Sequence, residues 1–154
     1  MSKIIIRSAT HSDLPILYDF EQKIISWERP YDETLKPGHI NYYDLEAMID
    51  SAESEVIVAE IGNEVIASGY VKYKSASPYL KHNHYGYLGF MYVKPEYRGQ
   101  RINKQIIDEL KKRSRTNNIT ELRLDVYNDN DSALKAYEKA GFKKHLINMR
   151  IEID

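Results

Sequence analysis

Cysteine is absent from this chain of 154 residues. Its absence excludes disulfides, thiolate zinc sites and cysteine nucleophiles, and it suits a reducing compartment. Long apolar runs are also missing. No stretch approaches the roughly 20 apolar residues of a membrane helix, and the opening MSKIIIRSATHSD has too short an apolar run for a signal peptide. A cytoplasmic protein without a membrane partner is the expectation. Internal repeats, low-complexity tracts and linkers are lacking too, so residues 1–154 are expected to form a single domain, long enough to bury a core without disulfides or structural metal.

A net charge of -1 gives no sign of a nucleic-acid partner, but the charge is unevenly spread. Between Glu28 and Glu55 there are eight acidic residues against Arg29 and Lys36; between Lys94 and Arg115 there are eight basic residues against Glu96, Asp108 and Glu109. Two solvated helix faces of opposite sign account for this pattern. The sharper alternative is a protein that meets a cation with its first third and a polyanion with its second half.

Hydrophobic periodicity predicts a strand over Lys3–Arg7, then a helix capped within Thr10–Asp13 with Leu14, Ile16, Leu17, Phe20 and Ile24 on one face. Residues 27–40 read as a loop and Asn41–Ser51 as a short helix. Glu55–Ile61 and Glu64–Lys74 flank Gly62-Asn63, a hairpin signal. Tyr85–Val93 reads as a buried strand ended by Pro95. Gly99–Arg115 reads as a helix with Ile102, Ile106, Ile107 and Leu110 on its apolar stripe. A strand over Glu121–Tyr127 follows, then a helix capped by Asn128–Asp131 with Ala133, Ala136, Tyr137 and Ala140 on its stripe. A last strand is expected over Phe142–Ile153. The order β-α-α-β-β-β-α-β-α-β predicts an α/β or α+β layer domain.

Arg98, Arg101 and Lys104 fall at or in the first turn of a helix, where each cation is unfavourable by roughly 0.3–1 kcal/mol. Backbone N–H groups without partners face outward from the same turn, and Gly99 permits positive φ. Either the side chains splay into water or an anion sits at the turn and makes all three charges favourable. His82 and His84 share a strand face without a third ligand, so no metal site is expected.

Two stretches, VKPEYRGQRINKQIIDEL at Val93–Leu110 and LDVYNDNDSALKAYEKAGF at Leu124–Phe142, resemble the GNAT superfamily of acetyl-coenzyme A-dependent N-acetyltransferases. The first is similar to its pyrophosphate motif, Arg/Gln-x-x-Gly-x-Gly/Ala, and the second to its Asn-x-x-Ala-x-x-x-Tyr-x-x-x-Gly-Phe signature. Arg98 takes the Arg/Gln position, while Arg101 and Asn103 stand where the family has small residues. The resemblance implies a mixed, mostly antiparallel sheet flanked by about four helices. It further implies that backbone groups of Gly99, Gln100, Arg101, Ile102 and Asn103 hold the diphosphate, and that Met91, Tyr92 and Val93 pair with the pantetheine arm as an extra strand. Asn130 and Tyr137 match the family's cofactor-contacting asparagine and its tyrosine, which donates to the leaving thiolate.

An amine of pKa near 10.4 is about 0.04% unprotonated at pH 7, so transfer needs a proton acceptor. Asp125 lies twelve residues before Tyr137, where ribosomal-protein N-terminal acetyltransferases of this superfamily carry a glutamate base. Tyr87 falls where many relatives carry a glutamate. The resemblance places the acceptor beside the first two helices and the fourth strand, where Glu28, Asp32, Glu33 and Asp44 would attract an ammonium and Trp27, Tyr31, Tyr42 and Tyr43 would pack it, with Tyr87 at the substrate as a second candidate base. The resemblance thus implies direct acetyl transfer to a primary amine of a small molecule, peptide or protein, without metal. A homodimer is implied because dimers are common among relatives. A non-catalytic coenzyme A-binding or sensing module is the competing reading.

Overall fold

Gly62 and Asn63 both take positive φ, 53° and 70°, which gives the right-twisted turn that closes the expected hairpin. A computed structural model describes residues 3–154. Its elements are β1 (Ile4–Ser8), α1 (Leu14–Glu28), α2 (Leu45–Asp50), β2 (Ser54–Ile61), β3 (Glu64–Ser75), β4 (His84–Val93), α3 (Ile102–Thr116), β5 (Leu122–Arg123) and α4 (Asp131–Lys139). One-turn 3-10 segments lie at His11–Asp13, Arg29–Tyr31 and Pro95–Tyr97. The strands form one sheet in the order β1-β2-β3-β4-β5, antiparallel except that β5 runs parallel to β4.

Alternation along β2 sends Val56 and Val58 to one face and Ile57 and Ala59 to the other, and helices cover both. Leu17, Phe20, Leu45 and Met48 of α1 and α2 close the first core with Tyr70, Phe90 and Tyr92. Ile102, Ile106 and Leu110 of α3 close the second over Ile66, Val71 and Leu88. The expected stripe on α3 is therefore the buried one.

Several boundaries differ from the expectation. α1 runs on through Trp27 and Glu28, because the loop begins only after Pro30 has been taken into a 3-10 turn. α2 starts at Leu45, where Asp44 caps it by accepting from Ala47 N at 3.1 Å. Ahead of it, the fully buried Glu21 ties down the preceding loop by accepting from the backbone N–H of Tyr42 and Tyr43 at 2.9 and 2.8 Å. α3 starts at Ile102 and not Gly99, since Gly99 and Arg101 take left-handed φ of 80° and 63°. β5 is two residues long where seven were expected, and no strand forms over Phe142–Ile153. Both stretches carry strand patterns, but beyond Leu122–Arg123 neither is hydrogen-bonded into the sheet, although Tyr127 and Arg150 reach the same Asp32 carboxylate.

Candidate active site

The middle of the sheet is opened by a bulge. Ser68 pairs with Tyr92 and Tyr70 with Gly89, so β4 carries one residue more than β3, and Phe90 sits there at φ 56°. The Phe90 carbonyl accepts from Ser68 Oγ at 2.9 Å in the buried interior, which satisfies a group the ladder releases. Gly89 lets the Tyr70 ring approach, since a Cβ there would fall 2.4 Å from it. On its other edge β4 meets β5 only at Gly86 and Tyr87, so the edge from Leu88 to Val93 is not covered by a strand. Met91 and Val93 pack toward the α3 core, whereas Tyr92 is buried against Phe20, ring centroids 4.6 Å apart. Tyr92 is thus a core side chain, and it has only backbone to offer a ligand.

Beyond β4 the chain turns into α3 through Gly99 and Arg101, both left-handed. Arg98 N–H bonds back to Pro95 and Gln105 N–H to Arg101, and among the described residues no backbone N–H from Gly99 to Lys104 has a backbone partner. Six consecutive donors at the positive end of a fifteen-residue helix form an anion cradle. A Cβ on Gly99 would meet nothing within 4 Å, so glycine serves its φ there and not space. Gln100 and Arg101 are exposed, Asn103 is half-buried at the second helical position, and Ile102, buried, anchors the turn.

The three cations of this turn do not behave alike. Arg98 Nε donates to Val93 O at 2.9 Å, its guanidinium 5.7 Å from the Tyr92 ring centre, and Lys104 pairs with Asp108 at 2.7 Å. Among the described residues, only Arg101 of the three has no such partner. A non-glycine residue in this conformation costs on the order of 1 kcal/mol.

Tyr137 sits on α4, whose N-cap Asn130 accepts from Ala133 N through Oδ1, leaving its amide NH2 without a partner among the described residues. Burial first, then the charge of Glu28, pushes the Tyr137 hydroxyl up to about 12. Its ring stands edge-on to Phe142 at 5.8 Å, and no group among the described residues hydrogen-bonds its Oη. Ala133 and Ala140 share its side of the helix, whereas Ala136 is exposed.

Tyr87 Oη donates to Asp125 Oδ2 at 2.9 Å, and Lys74 Nζ lies 4.3 Å from the centre of the Tyr87 ring. Burial, then the Asp125 carboxylate, holds the Tyr87 hydroxyl well above its ordinary value. Arg123 is not the partner of Asp125; it bonds Glu121 at 2.7 Å and covers the Tyr85 ring. His82 bonds Glu121 too, and it precedes β4, so the two histidines do not share a strand face as expected.

The acidic and aromatic residues at the end of α1 form one cluster. Tyr31 stacks on Tyr127 at 5.8 Å and 12°, and Tyr127 Oη donates to Asp32 Oδ2 at 3.1 Å. Bonds from Thr34, above all its hydroxyl, and then from Arg150 hold the Asp32 carboxyl well below the carboxylate range. Glu28 goes the other way: burial raises it, against the neighbouring Tyr42 hydroxyl. Its charge reaches Tyr137 as well as Tyr127, which links this cluster to α4. Trp27 is 57% exposed and stands outside the cluster. Phe90, Ser68 and Tyr127 were missed by sequence reasoning. A phenylalanine at positive φ leaves no sequence signal, whereas Tyr127 could have been found two residues from Asp125 on the same strand face.

Similarity to known proteins accords with this geometry. The profile of the Acetyltransferase (GNAT) family matches residues 21–142. An acetyltransferase of Sodalis glossinidius (strain morsitans) is 30% identical over 128 residues, covering 81% of each chain. A predicted acetyltransferase from Clostridium acetobutylicum, solved with acetyl-CoA, superimposes with a TM-score of 0.76 at 20% identity over 97% of this chain and 96% of the other. Glucosamine-6-phosphate N-acetyltransferase from Arabidopsis thaliana does so with a TM-score of 0.69 at 18% identity over 99% of both. Fold and matches define an acyl-group transferase. The chain belongs to the GNAT family of acetyltransferases.

Proposed function

We propose that this enzyme moves an acetyl group from acetyl-coenzyme A directly to a primary amine. The observation that carries the reading is the run of six unpaired N–H groups from Gly99 to Lys104 beside the uncovered edge of β4. The cradle fits a diphosphate, and the edge fits an extended amide-bearing arm that adds to Met91–Val93 as a strand. Arg101 supplies a charge-assisted bond to phosphate, and Asn130 has its NH2 free for the arm.

Acetyl-coenzyme A brings the acyl group as a thioester. Asp125 accepts the proton of the incoming ammonium, either directly or through a water, with Tyr87 orienting its carboxylate. The amine nitrogen forms its bond to the carbonyl carbon, and the carbon–sulfur bond breaks. Tyr137 donates its proton to the departing sulfur and recovers one, by way of solvent, from the second proton that the nitrogen sheds on becoming an amide; a hydroxyl raised to about 12 stays protonated at neutral pH and can do so. Glu28, Tyr31 and Trp27 draw in and pack the cationic acceptor. A cysteine-free chain suits action in the cytoplasm.

The test is acetyl transfer from acetyl-coenzyme A to a panel of small amines, peptide N-termini and lysine side chains, alongside cofactor binding by calorimetry. Binding together with amine-stimulated thiol release supports the reading. Binding without turnover on any amine makes the protein a coenzyme A-binding module, and no binding overturns the cradle.

A further inference from the structure

Two tyrosines stand beside Asp125, and each carries a lysine over its ring. Tyr87 Oη donates to Asp125 Oδ2 at 2.9 Å, and Lys74 Nζ lies 4.3 Å from the centre of the same ring. The Asp125 charge also reaches the Tyr70 hydroxyl, which burial first and that carboxylate next push up to about 12. Lys72 Nζ lies 5.8 Å from the Tyr70 ring centre. Strand register puts these groups on one face: Lys72 is opposite Tyr87 and Lys74 opposite Tyr85 in the β3–β4 ladder, and Tyr70 is two residues before Lys72. It is the face of α1 and α2, because Tyr70 belongs to the first core and Tyr87 packs against it.

A third cation at this corner, Arg123, covers the Tyr85 ring at 4.8 Å, but Glu121 balances its charge at 2.7 Å. Among the described residues neither Lys72 nor Lys74 has a carboxylate partner. Lys72 is half-buried and Lys74 exposed. Two ammonium groups two residues apart on one strand face, with roughly 7 Å between their Cα atoms, repel each other. An anion held by both turns that repulsion into attraction.

We propose that Lys72 and Lys74 bind an anionic group of the acceptor, so that the substrate is a small amine bearing a carboxylate or a phosphate. The assignment rests on the acetyl-transfer reading of the site, with Asp125 as the group that meets the ammonium. One tyrosine ring separates that carboxylate from each lysine, so both charges of a short zwitterion meet opposite charges at once. A diamine satisfies Asp125 but sets its second charge against the lysines, and a plain alkylamine leaves them unpaired. Carboxylate and phosphate offer a lysine the same charge-assisted bond.

Four acceptors with a common aminoethyl core test this: propylamine, ethylenediamine, β-alanine and phosphoethanolamine. With the wild type, kcat/KM for β-alanine or phosphoethanolamine is expected to exceed that for the other two by about tenfold or more, and the better of the pair tells which anion is taken. Lys72→Gln/Lys74→Gln is expected to bring that ratio close to one, and Lys72→Glu/Lys74→Glu to turn the order toward ethylenediamine; if the second variant does not fold, the first decides. A wild type that prefers ethylenediamine or propylamine overturns the proposal, as does an anion preference that survives in the folded variants. Calorimetric binding of β-alanine and phosphoethanolamine to the coenzyme A-loaded protein gives a readout independent of turnover. Binding that the glutamine variant weakens by about tenfold, in a protein that acetylates none of the four, supports the lysine site and overturns only the transfer reading. Equal binding in wild type and variant, or no binding, in such a protein overturns the lysine site.

Discussion

Tyr87 Oη lies 2.9 Å from Asp125 Oδ2, and this bond ties β4 to the chain following β5 at the point where the two strands part. It gives the carboxylate a fixed direction at the mouth of the opening. Tyr87→Phe removes that donor and the fixed direction it gives the carboxylate, so kcat falls, by up to about 100-fold, while coenzyme A affinity is kept. Asp125→Asn lowers kcat by roughly 100-fold or more, the scale of a lost general base. Unchanged kcat in Tyr87→Phe, with full activity in Asp125→Asn, removes Asp125 from proton transfer.

Tyr137→Phe keeps the ring and its contact with Phe142 and loses only the donor. Turnover is expected to fall by about 100-fold while coenzyme A affinity stays within about 2-fold. With the hydroxyl raised to about 12, no loss of activity between pH 7 and about 10 traces to this group, so the wild-type and Phe profiles share their shape over that range. Steady-state kinetics and calorimetry on the same samples check both halves.

Arg101 holds φ 63° at the head of α3. Arg101→Gly relieves that strain and is expected to stabilise the chain by about 0.5–1 kcal/mol in chemical denaturation. Affinity for acetyl-coenzyme A falls only by the loss of one charge-assisted bond, while Arg101→Glu weakens it by at least about tenfold through repulsion of phosphate. Equal affinities in all three forms show that this side chain faces water.

Glu28 is raised by burial, so the folded state favours its protonated form. A raised carboxyl contributes stability that is present below its unfolded value and lost as pH rises through the folded one. Glu28→Gln is therefore expected to melt above the wild type at pH 7 and level with it near pH 4, while KM for a cationic amine rises. A melting difference that is independent of pH contradicts the burial argument.

Ser68→Ala leaves the Phe90 carbonyl at the bulge without its buried partner. The expected cost is about 1–3 kcal/mol in chemical denaturation, together with a higher KM for acetyl-coenzyme A, since the bulge sets the uncovered edge of β4. Destabilisation without a KM change confines Ser68 to the core.

The legible parts were those whose cause lies within a few residues. Gly62-Asn63 announced its turn, Pro95 the end of β4, and the isoleucines of α3 their buried stripe. The Gly99–Asn103 turn was found through its misplaced cations, although two of the three proved to be occupied elsewhere: Lys104 by Asp108 one turn on, and Arg98 by the Val93 carbonyl. The aromatic and acidic character of the cluster at the end of α1 was legible, but its pairing was not. Tyr31 meets Tyr127, and Tyr127 meets Asp32, across nearly a hundred residues of chain.

By itself the sequence determined the order of elements as far as α4, the apolar faces and the turn ahead of α3, because periodicity, turn chemistry and helix polarity act over one or two turns of chain. Tertiary structure alone decided the rest. It put the bulge at Phe90, stopped β5 after two paired residues, joined Tyr87 to Asp125 and left 143–154 without a strand partner. Each of these depends on which edge or face meets which at long sequence separation. An alternating pattern says that a stretch can pair, but the partner is chosen by the packing of the whole sheet.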